Sequence, residues 1–211
     1  LPPRPPLVVV ESLPQLTEAL NRWGGSGQFT GGVLVARGDE VLFRQVHGYA
    51  NRSLGTPLAL NSRFRLASVS KQFTAAAILR LQDEGVLSVD DPVCRWIEPC
   101  PAAWAPLRLH HLLGHTSGIP DLMARPGWGV RRVTSASMEE LTAESVRYGL
   151  QFPPGTKVRY NNAAYNLLGA VVEKAGGMPL HDYLRTAFFE PLGMADTGYD
   201  DDVSDVVMGY A

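Results

Sequence analysis

The sequence predicts an α+β fold that contains one antiparallel β-hairpin and a mainly helical remainder. Residues 29–36 and 41–48 are strand-like segments on either side of the turn Arg37-Gly38-Asp39-Glu40, which is typical of two paired strands. From residue 68 onwards, apolar residues recur mostly at helical spacing, and Gly and Pro separate the helical segments. A lone hairpin is marginal in water, so we expect either that the helices cover it or that further strands follow Ala211.

The composition excludes two classes of protein. The 211 residues have a formal net charge of −2, and 45% of them are hydrophobic. This near-neutral charge provides no basic surface for nucleic acid, so we expect no nucleic-acid partner. The longest uninterrupted apolar stretches, such as residues 75–79, are too short to cross a bilayer, so the sequence predicts no transmembrane segment.

The chain begins with a Pro-rich segment, residues 1–11, which predicts an extended linker or the start of a mature protein. Ser12 can cap a first helix, because Pro14 lies near its start and the Gly-rich residues 24–27 can end it. The predicted organisation after this segment is one domain, 12–211, made of a helix and hairpin (12–66) and a mainly helical part (67–211).

Long helices dominate the predicted second part. The first has apolar residues around most of its circumference, which indicates a helix buried at the centre of the domain. Ser137 and Glu140 form a capping box at the start of the next. The predicted ranges are 68–84, 137–148, 162–175 and 179–188.

The cysteines and histidines do not predict a metal site. Cys94 and Cys100 lack the second cysteine pair of a zinc site, and they fit either a disulfide or two partly buried free thiols. His110, His111 and His115 have no paired carboxylate at ligand spacing. We therefore expect no metal and no cofactor.

A first candidate site is Ser68-Val69-Ser70-Lys71, at the start of the long helix. Residues i and i+3 share a helix face, so the Lys71 amine is expected beside the Ser68 hydroxyl. A neutral lysine can take the proton of a serine, and the free N–H groups at a helix start favour negative charge that develops nearby. The pair suits acyl transfer, although alone it also fits an N-cap serine and a lysine that forms a salt bridge.

A second candidate is Tyr160-Asn161-Asn162, which follows the turn Pro153-Pro154-Gly155. A tyrosine beside a cation can act as a base, and an asparagine two residues later can bind a substrate amide or hold the lysine. Tyr49-Ala50-Asn51 has the same pattern, but it follows the second strand and is interpreted as a turn at the strand end. Neither motif is specific alone, whereas the two in this order are.

In combination the motifs resemble those of the serine β-lactamase and penicillin-binding protein family, in particular its class C β-lactamase, esterase and D-alanyl-D-alanine peptidase branch. The resemblance covers about residues 12–211 and implies a serine β-lactamase-like (DD-peptidase/transpeptidase) fold, with an antiparallel sheet and a helical region. The similar segments are 64–74 (Phe-Arg-Leu-Ala-Ser-Val-Ser-Lys-Gln-Phe-Thr), 112–120 (Leu-Leu-Gly-His-Thr-Ser-Gly-Ile-Pro), 160–169 and 191–194.

The resemblance implies a serine hydrolase that forms an acyl-enzyme on a β-lactam, an ester or a D-alanyl peptide. Ser68 would attack the carbonyl, and its backbone N–H would supply half of an oxyanion hole. Lys71 and Tyr160 would share the proton transfers, and Asn162 would orient Lys71 and contact the substrate amide. A small-molecule or peptide substrate and a periplasmic or secreted location are also implied, whereas the oligomeric state is not predicted.

The family's third motif, Lys or His followed by a small residue and Gly on a C-terminal strand, has no convincing match. Lys174-Ala175-Gly176 has the right residues but is expected to end a helix, and His115-Thr116-Ser117-Gly118 precedes Tyr160. We therefore expect a chain truncated at its C-terminus, with an incomplete site. The alternatives are a non-catalytic member or inactive fragment that binds a ligand or partner chain, and a helical domain in which the motifs are accidental.

Overall fold

The structure is a computed structural model that describes residues 11–124, 127, 136–199 and 206–209. It divides into two compact units, one formed by Leu1–Arg65 with Tyr199–Ala211 and the other by Leu66–Gly198. The extended segment predicted for residues 1–11 lies outside the described residues, except for Glu11. The predicted organisation, one domain whose two parts meet between residues 66 and 67, stays a prediction.

The described elements follow the predicted order of a helix, a hairpin and a mainly helical region. Short 3₁₀ turns at Val93–Arg95, Ala102–Trp104 and Leu122–Ala124 connect the helices of the second unit. The strands are β1 (Gly31–Arg37), β2 (Glu40–His47), β3 (Tyr49–Asn51) and β4 (Thr56–Pro57). The α-helices are α1 (Leu13–Gly25), α2 (Lys71–Asp83), α3 (Leu109–Leu113), α4 (Met138–Ser145), α5 (Asn162–Gly176) and α6 (Leu180–Leu184).

The first unit begins with α1, whose start is the one that the sequence predicts. Ser12 is the N-cap residue and its side chain accepts a hydrogen bond from the backbone N–H of Gln15. Ala19 and Leu20 are the buried residues of this helix. An N-cap hydroxyl stabilises a helix by about 1 kcal/mol, because it satisfies an N–H that the helix itself cannot bond.

The predicted hairpin is confirmed. β1 and β2 are antiparallel, with Gly31 opposite His47 and Arg37 opposite Glu40, and an irregularity in register follows Val35. β3 and β4 form a second two-stranded pair, which the sequence did not predict as a strand pair.

The described residues near the chain end also belong to this unit. The backbone N–H of Val207 donates to the Arg63 carbonyl at 2.9 Å, and that of Met208 donates to the Ala50 carbonyl at 2.9 Å. These bonds join residues that are 144 and 158 positions apart in the chain, as only tertiary folding can.

The second unit has its hydrophobic core around α5. Seven residues of α5 are buried, whereas α2 has three: Ala77, Ile78 and Leu81. The prediction that α2 is buried around its circumference is wrong, because Leu79 is 48% exposed. Apolar residues on all faces of a helix show what it can bury, but its neighbours decide which faces are covered.

Local capping explains where α4 and α5 begin. Ser137 and Glu140 form the predicted capping box at the start of α4. Asn161 caps α5 by accepting a hydrogen bond from the Ala164 N–H at 2.8 Å. At the other end of α5, Gly177 adopts a left-handed conformation with φ of 70°, so Lys174-Ala175-Gly176 closes a helix as predicted.

Cys94 and Cys100 form a disulfide in this unit. Of the two alternatives that the sequence left open, the structure contains the disulfide rather than two free thiols.

Candidate active site

Ser68 lies in a tight turn at the start of α2. Ala67–Ser70 is a 3₁₀ turn, so the α-helix begins at Lys71 rather than at Ser68 as predicted. Ala67 has a positive φ of 46°, a strained backbone conformation for a residue with a Cβ. The Ser70 hydroxyl donates to the Ala67 carbonyl at 2.6 Å, which stabilises this turn and leaves Ser68 exposed on it.

The 3₁₀ turn places the Lys71 amine against the Ser68 hydroxyl. Lys71 Nζ donates to Ser68 Oγ at 3.2 Å. Residues three apart are eclipsed in a 3₁₀ helix, which brings the two side chains closer than an α-helix of the same spacing would. The sequence predicted this pairing, and the structure contains it.

Tyr160 reaches the same serine from a segment 92 residues away. Its Oη lies 2.6 Å from Ser68 Oγ, with either atom able to donate. Lys71 Nζ also lies 5.0 Å from the centre of the Tyr160 ring. The hydroxyl of Ser68 is therefore between a lysine amine and a tyrosine oxygen.

Backbone hydrogen bonds to His115 hold the Tyr160 segment in place. The Arg159 N–H donates to the His115 carbonyl at 2.8 Å, and the Asn161 N–H donates to His115 Nδ1 at 3.2 Å. The His115 ring also packs against the Tyr160 ring, with the ring centres 4.6 Å apart. Residues on both sides of Tyr160 and its own ring are thus fixed by one histidine.

His115 is itself in an unusual backbone conformation, with φ of 56°. Burial, followed by the nearby Lys71 charge, lowers the pKa of His115 below its ordinary value. A neutral imidazole has one ring nitrogen free to accept a hydrogen bond, as Nδ1 does here from Asn161. His115 therefore holds this segment as a neutral ring.

Tyr160 has an altered acidity. The hydrogen bonds from Lys71 and then Ser68 lower the pKa of Tyr160 below its ordinary value, against a smaller opposing effect of burial and of the Asp121 charge. Burial would raise the pKa of a tyrosine, and the residue is 50% exposed, so this opposing effect is small. In contrast, burial raises the pKa of Tyr165, whose Oη donates to the Leu113 carbonyl at 3.1 Å.

Asn162 completes the group of residues that the sequence predicts. Lys71 Nζ donates to Asn162 Oδ1 at 2.8 Å. The four predicted site residues, Ser68, Lys71, Tyr160 and Asn162, thus meet in one cluster within the second unit. The other Tyr-x-Asn pattern, Tyr49-Ala50-Asn51, is strand β3 of the first unit and does not belong to this cluster.

Asp121 and Met123 were not predicted as site residues, and His115 was given no part in the site. Asn162 Nδ2 donates to Asp121 Oδ2 at 3.1 Å and to Met123 Sδ at 2.9 Å. These residues lie in or just after the segment 112–120, whose resemblance to a family turn was noted. That resemblance was the available signal, but the residue pattern alone does not reveal contacts with Tyr160 and Asn162.

The described part of the chain contains no group of three or more His, Cys, Asp or Glu that could hold a metal ion. Within the same residues, no helix is both long and apolar enough to span a membrane. The side chains of Ser68, Lys71, Tyr160 and Asn162 supply a hydroxyl, an amine, a phenol and an amide.

The comparisons with known proteins concern the family and the fold of the chain. The Beta-lactamase family matches residues 15–207. A penicillin-binding protein of Bacillus subtilis (strain 168) is 39% identical over 179 residues, which are 82% of this chain and 39% of that protein. Esterase EstB of Burkholderia gladioli is 37% identical over 180 residues, which are 79% of this chain and 46% of that protein. The matched segment thus spans less than half the length of either relative.

A solved structure shows the same fold. The penicillin-binding protein from Bacillus halodurans matches with a TM-score of 0.79 and 32% identity, over 92% of this chain and 60% of that chain. The chain belongs to the beta-lactamase family. Its predicted α+β, β-lactamase-like fold is confirmed.

Proposed function

We propose that the protein is a serine hydrolase that acts through an acyl-enzyme on a β-lactam, an ester or a D-alanyl peptide. The observation that supports this most strongly is the 2.6 Å contact between Ser68 Oγ and Tyr160 Oη. Lys71 Nζ donates a hydrogen bond to the same serine oxygen. A nucleophilic serine needs a base within hydrogen-bond distance, and this contact provides one.

The hydrogen-bond directions favour Tyr160 as the group that receives the serine proton. Lys71 Nζ donates to Ser68 Oγ, so the serine's own proton is free to point toward Tyr160 Oη. The lowered pKa of Tyr160 increases the fraction of phenolate, which accepts that proton.

The reaction then proceeds in two balanced steps. Ser68 Oγ forms a bond to the substrate carbonyl carbon as the hydroxyl proton of Ser68 passes to Tyr160. Tyr160 then gives this proton to the leaving group as the bond between the leaving group and the carbonyl carbon breaks. In the second step a water gives a proton to Tyr160 and its oxygen attacks the carbonyl carbon of the acyl-enzyme. Tyr160 then passes that proton to Ser68 Oγ as the bond between Oγ and the carbon breaks, which releases the acid. The Ser68 N–H at the start of α2 stabilises the oxyanion as one of its donors.

An exported location, periplasmic or secreted, is part of this proposal. The Cys94–Cys100 disulfide supports it, because disulfides persist in oxidising compartments and are rare in the cytosol. Counting free thiols in protein isolated from its native cells tests it: we expect none, and two reactive thiols would contradict an exported location.

Turnover of a substrate panel tests the hydrolase proposal. The panel contains a chromogenic cephalosporin, a p-nitrophenyl butyrate ester and a D-alanyl-D-alanine dipeptide derivative, and it is measured with the wild type, Ser68→Ala and Ser70→Ala. We expect turnover of at least one class by the wild type and by Ser70→Ala, whose hydroxyl contacts Ala67 rather than Tyr160. Ser68→Ala should lose this turnover by about 10³-fold or more.

Two results would contradict the proposal. Equal turnover by Ser68→Ala would exclude Ser68 as the nucleophile. Saturable binding of these compounds without any turnover or adduct would favour the alternative, a non-catalytic member or inactive fragment that binds a ligand or a partner chain.

A further inference from the structure

Asp121 follows the segment 112–120, and its carboxylate lies against the first residue of α5. Asp121 Oδ1 accepts the Asn162 backbone N–H at 3.3 Å, and Oδ2 accepts Asn162 Nδ2 at 3.1 Å. The Met123 backbone N–H also donates to Asp121 Oδ1 at 3.3 Å, so the carboxylate is held by a residue of its own segment as well. Asp121 thus contacts Asn162 through both its backbone and its side chain.

The side-chain amide of Asn162 has two possible orientations that exchange oxygen and nitrogen. Lys71 is a donor when protonated, and an ionised Asp121 is an acceptor only. One orientation satisfies both partners: the amide oxygen toward Lys71 and the NH₂ group toward Asp121, as in the structure. The opposite orientation would place the Asn162 NH₂ group against the Lys71 amine, which are two donors, and the Asn162 amide oxygen against the Asp121 carboxylate, which are two acceptors.

Both N–H bonds of the Asn162 amide are therefore directed away from Lys71. One is donated to Asp121 Oδ2 and the other is 2.9 Å from Met123 Sδ. The oxygen that remains is the acceptor for Lys71 Nζ. A lysine side chain has four rotatable bonds, so this acceptor and Ser68 Oγ together restrict where the amine lies.

We propose that Asp121 is a positioning residue of this active site, which fixes the Asn162 amide with its oxygen toward Lys71 and so keeps the amine beside Ser68. Asp121 acts through Asn162 and takes no part in proton transfer. The effect on catalysis rests on the proposed function, whereas the effect on the orientation of Asn162 does not. Small displacements of a catalytic group reduce rates by about 10- to 100-fold, and this is the loss expected without Asp121.

A reciprocal exchange of the two side chains tests the proposal. In Asp121→Asn, the new amide oxygen is expected at the Oδ1 position, where the backbone N–H groups of Asn162 and Met123 donate, so its NH₂ group faces the NH₂ group of Asn162. In Asn162→Asp, a carboxylate faces a carboxylate. The double variant Asp121→Asn with Asn162→Asp restores a donor opposite an acceptor and leaves an oxygen facing Lys71. We expect each single variant to lose about 10- to 100-fold in the acylation rate of Ser68, and the double variant to recover at least tenfold over the slower single variant.

Rescue of this kind distinguishes positioning from a general structural role. If Asp121 only stabilised the fold, the two losses would add, and the double variant would be the slowest of the three. Such additivity would overturn the proposal, as would a loss smaller than threefold in Asp121→Asn. Asp90→Asn is the matched control, because this exposed carboxylate contacts His110, and we expect it to keep the wild-type rate.

A second readout does not depend on activity. In protein with ¹⁵N-labelled asparagine, the Asn162 side-chain signal is identified by its absence from Asn162→Asp. We expect slow solvent exchange of its NH₂ protons in the wild type and faster exchange in Asp121→Asn, since an NH₂ group then takes the place of the acceptor Oδ2. Unchanged exchange in Asp121→Asn would overturn the proposal.

The two readouts separate this proposal from the proposed function. If the wild type forms no Ser68-dependent adduct, the hydrolase proposal fails, and the exchange measurement still decides whether Asp121 orients Asn162. If the adduct forms but exchange and rescue both fail, the hydrolase proposal stands and Asp121 has no positioning role. Thermal unfolding of every variant identifies any that does not fold.

Discussion

Replacing Tyr160 by phenylalanine removes one oxygen atom and keeps the ring against His115. The lost atom is the one that lies 2.6 Å from Ser68 Oγ, so the serine loses its proposed proton acceptor. The ring contact with His115, at 4.6 Å between centres, is available to phenylalanine as well. The variant therefore tests proton transfer with little change in packing.

The expected loss follows from the contribution of a general base. A positioned base contributes about 10²- to 10⁴-fold to a rate, which corresponds to about 2.7–5.4 kcal/mol at 1.36 kcal/mol per tenfold. Tyr160 is 50% exposed and its bond to Ser68 is at the surface. Because a net hydrogen bond contributes about 1 kcal/mol, the free energy of unfolding should fall by no more than that.

Tyr165→Phe is the matched control, because it removes the same atom from the neighbouring helix α5. Its hydroxyl donates to the Leu113 carbonyl, and burial raises the pKa of Tyr165, which lowers the fraction of phenolate at a given pH. We expect its kcat/KM to stay within about fivefold of the wild type, the effect of one hydrogen bond.

The assay measures kcat/KM for the best substrate of the panel, together with thermal unfolding of each variant. A fall of about 100-fold or more in Tyr160→Phe, with unfolding unchanged, would agree with Tyr160 as the proton acceptor. A Tyr160→Phe variant within tenfold of the wild type would refute this reasoning and leave Lys71 as the base.

Two further predictions concern acidity and backbone geometry. The bond from Lys71 is the largest cause of the lowered pKa of Tyr160, so Lys71→Met should raise that pKa toward its ordinary value. This pKa is measured from tyrosinate absorbance against pH, as the difference between each protein and the same protein with Tyr160→Phe. Tyr160 should ionise at lower pH in the wild type than in Lys71→Met. Coincident titration curves for the two proteins would contradict this prediction. Gly118→Ala should destabilise the protein by about 2 kcal/mol or more, because Gly118 has φ of 76° and a Cβ there would meet the Phe152 carbonyl. Gly149→Ala, where a Cβ meets nothing within 4 Å, is the control for denaturant unfolding; equal midpoints for the two would contradict the prediction.

The pH dependence of activity follows from the same pKa. A lowered pKa favours the phenolate form of Tyr160, which is the proposed proton acceptor. The fraction of protein with this phenolate, and therefore the activity, should fall as pH falls through the folded-state pKa of Tyr160 and should be retained above it. The rising limb of kcat/KM therefore lies below the pH at which an ordinary tyrosine ionises.

Local patterns in the sequence were sufficient for the elements that local chemistry determines. The hairpin, the Ser12 cap of α1 and the start of α5 lie close to where alternation, capping and glycine placement predict them. The burial of α2 was mispredicted, because its neighbours in space, rather than its own apolar residues, decide that Leu79 is exposed.

The site residues also divide into those that local geometry or the family resemblance predicted and those that depend on contacts between distant segments. Ser68 and Lys71 are three residues apart, so helix geometry alone brings them together, and the family resemblance added Tyr160 and Asn162. Asp121 and His115 were missed as site residues, because their partners Asn162 and Asn161 are 41 and 46 positions away. Such contacts depend on how the segment after α3 folds against the start of α5, which no short motif encodes.

The central claim, that Ser68 is the nucleophile that bonds covalently to the substrate, is tested most directly by intact mass spectrometry. The purified protein is incubated with a penicillin and, separately, with a fluorophosphonate, and the adduct is located by peptide mapping. We expect one adduct per chain, on the peptide that contains Ser68, and none in Ser68→Ala. An adduct that persists in Ser68→Ala, or a wild type that neither reagent modifies, would contradict it.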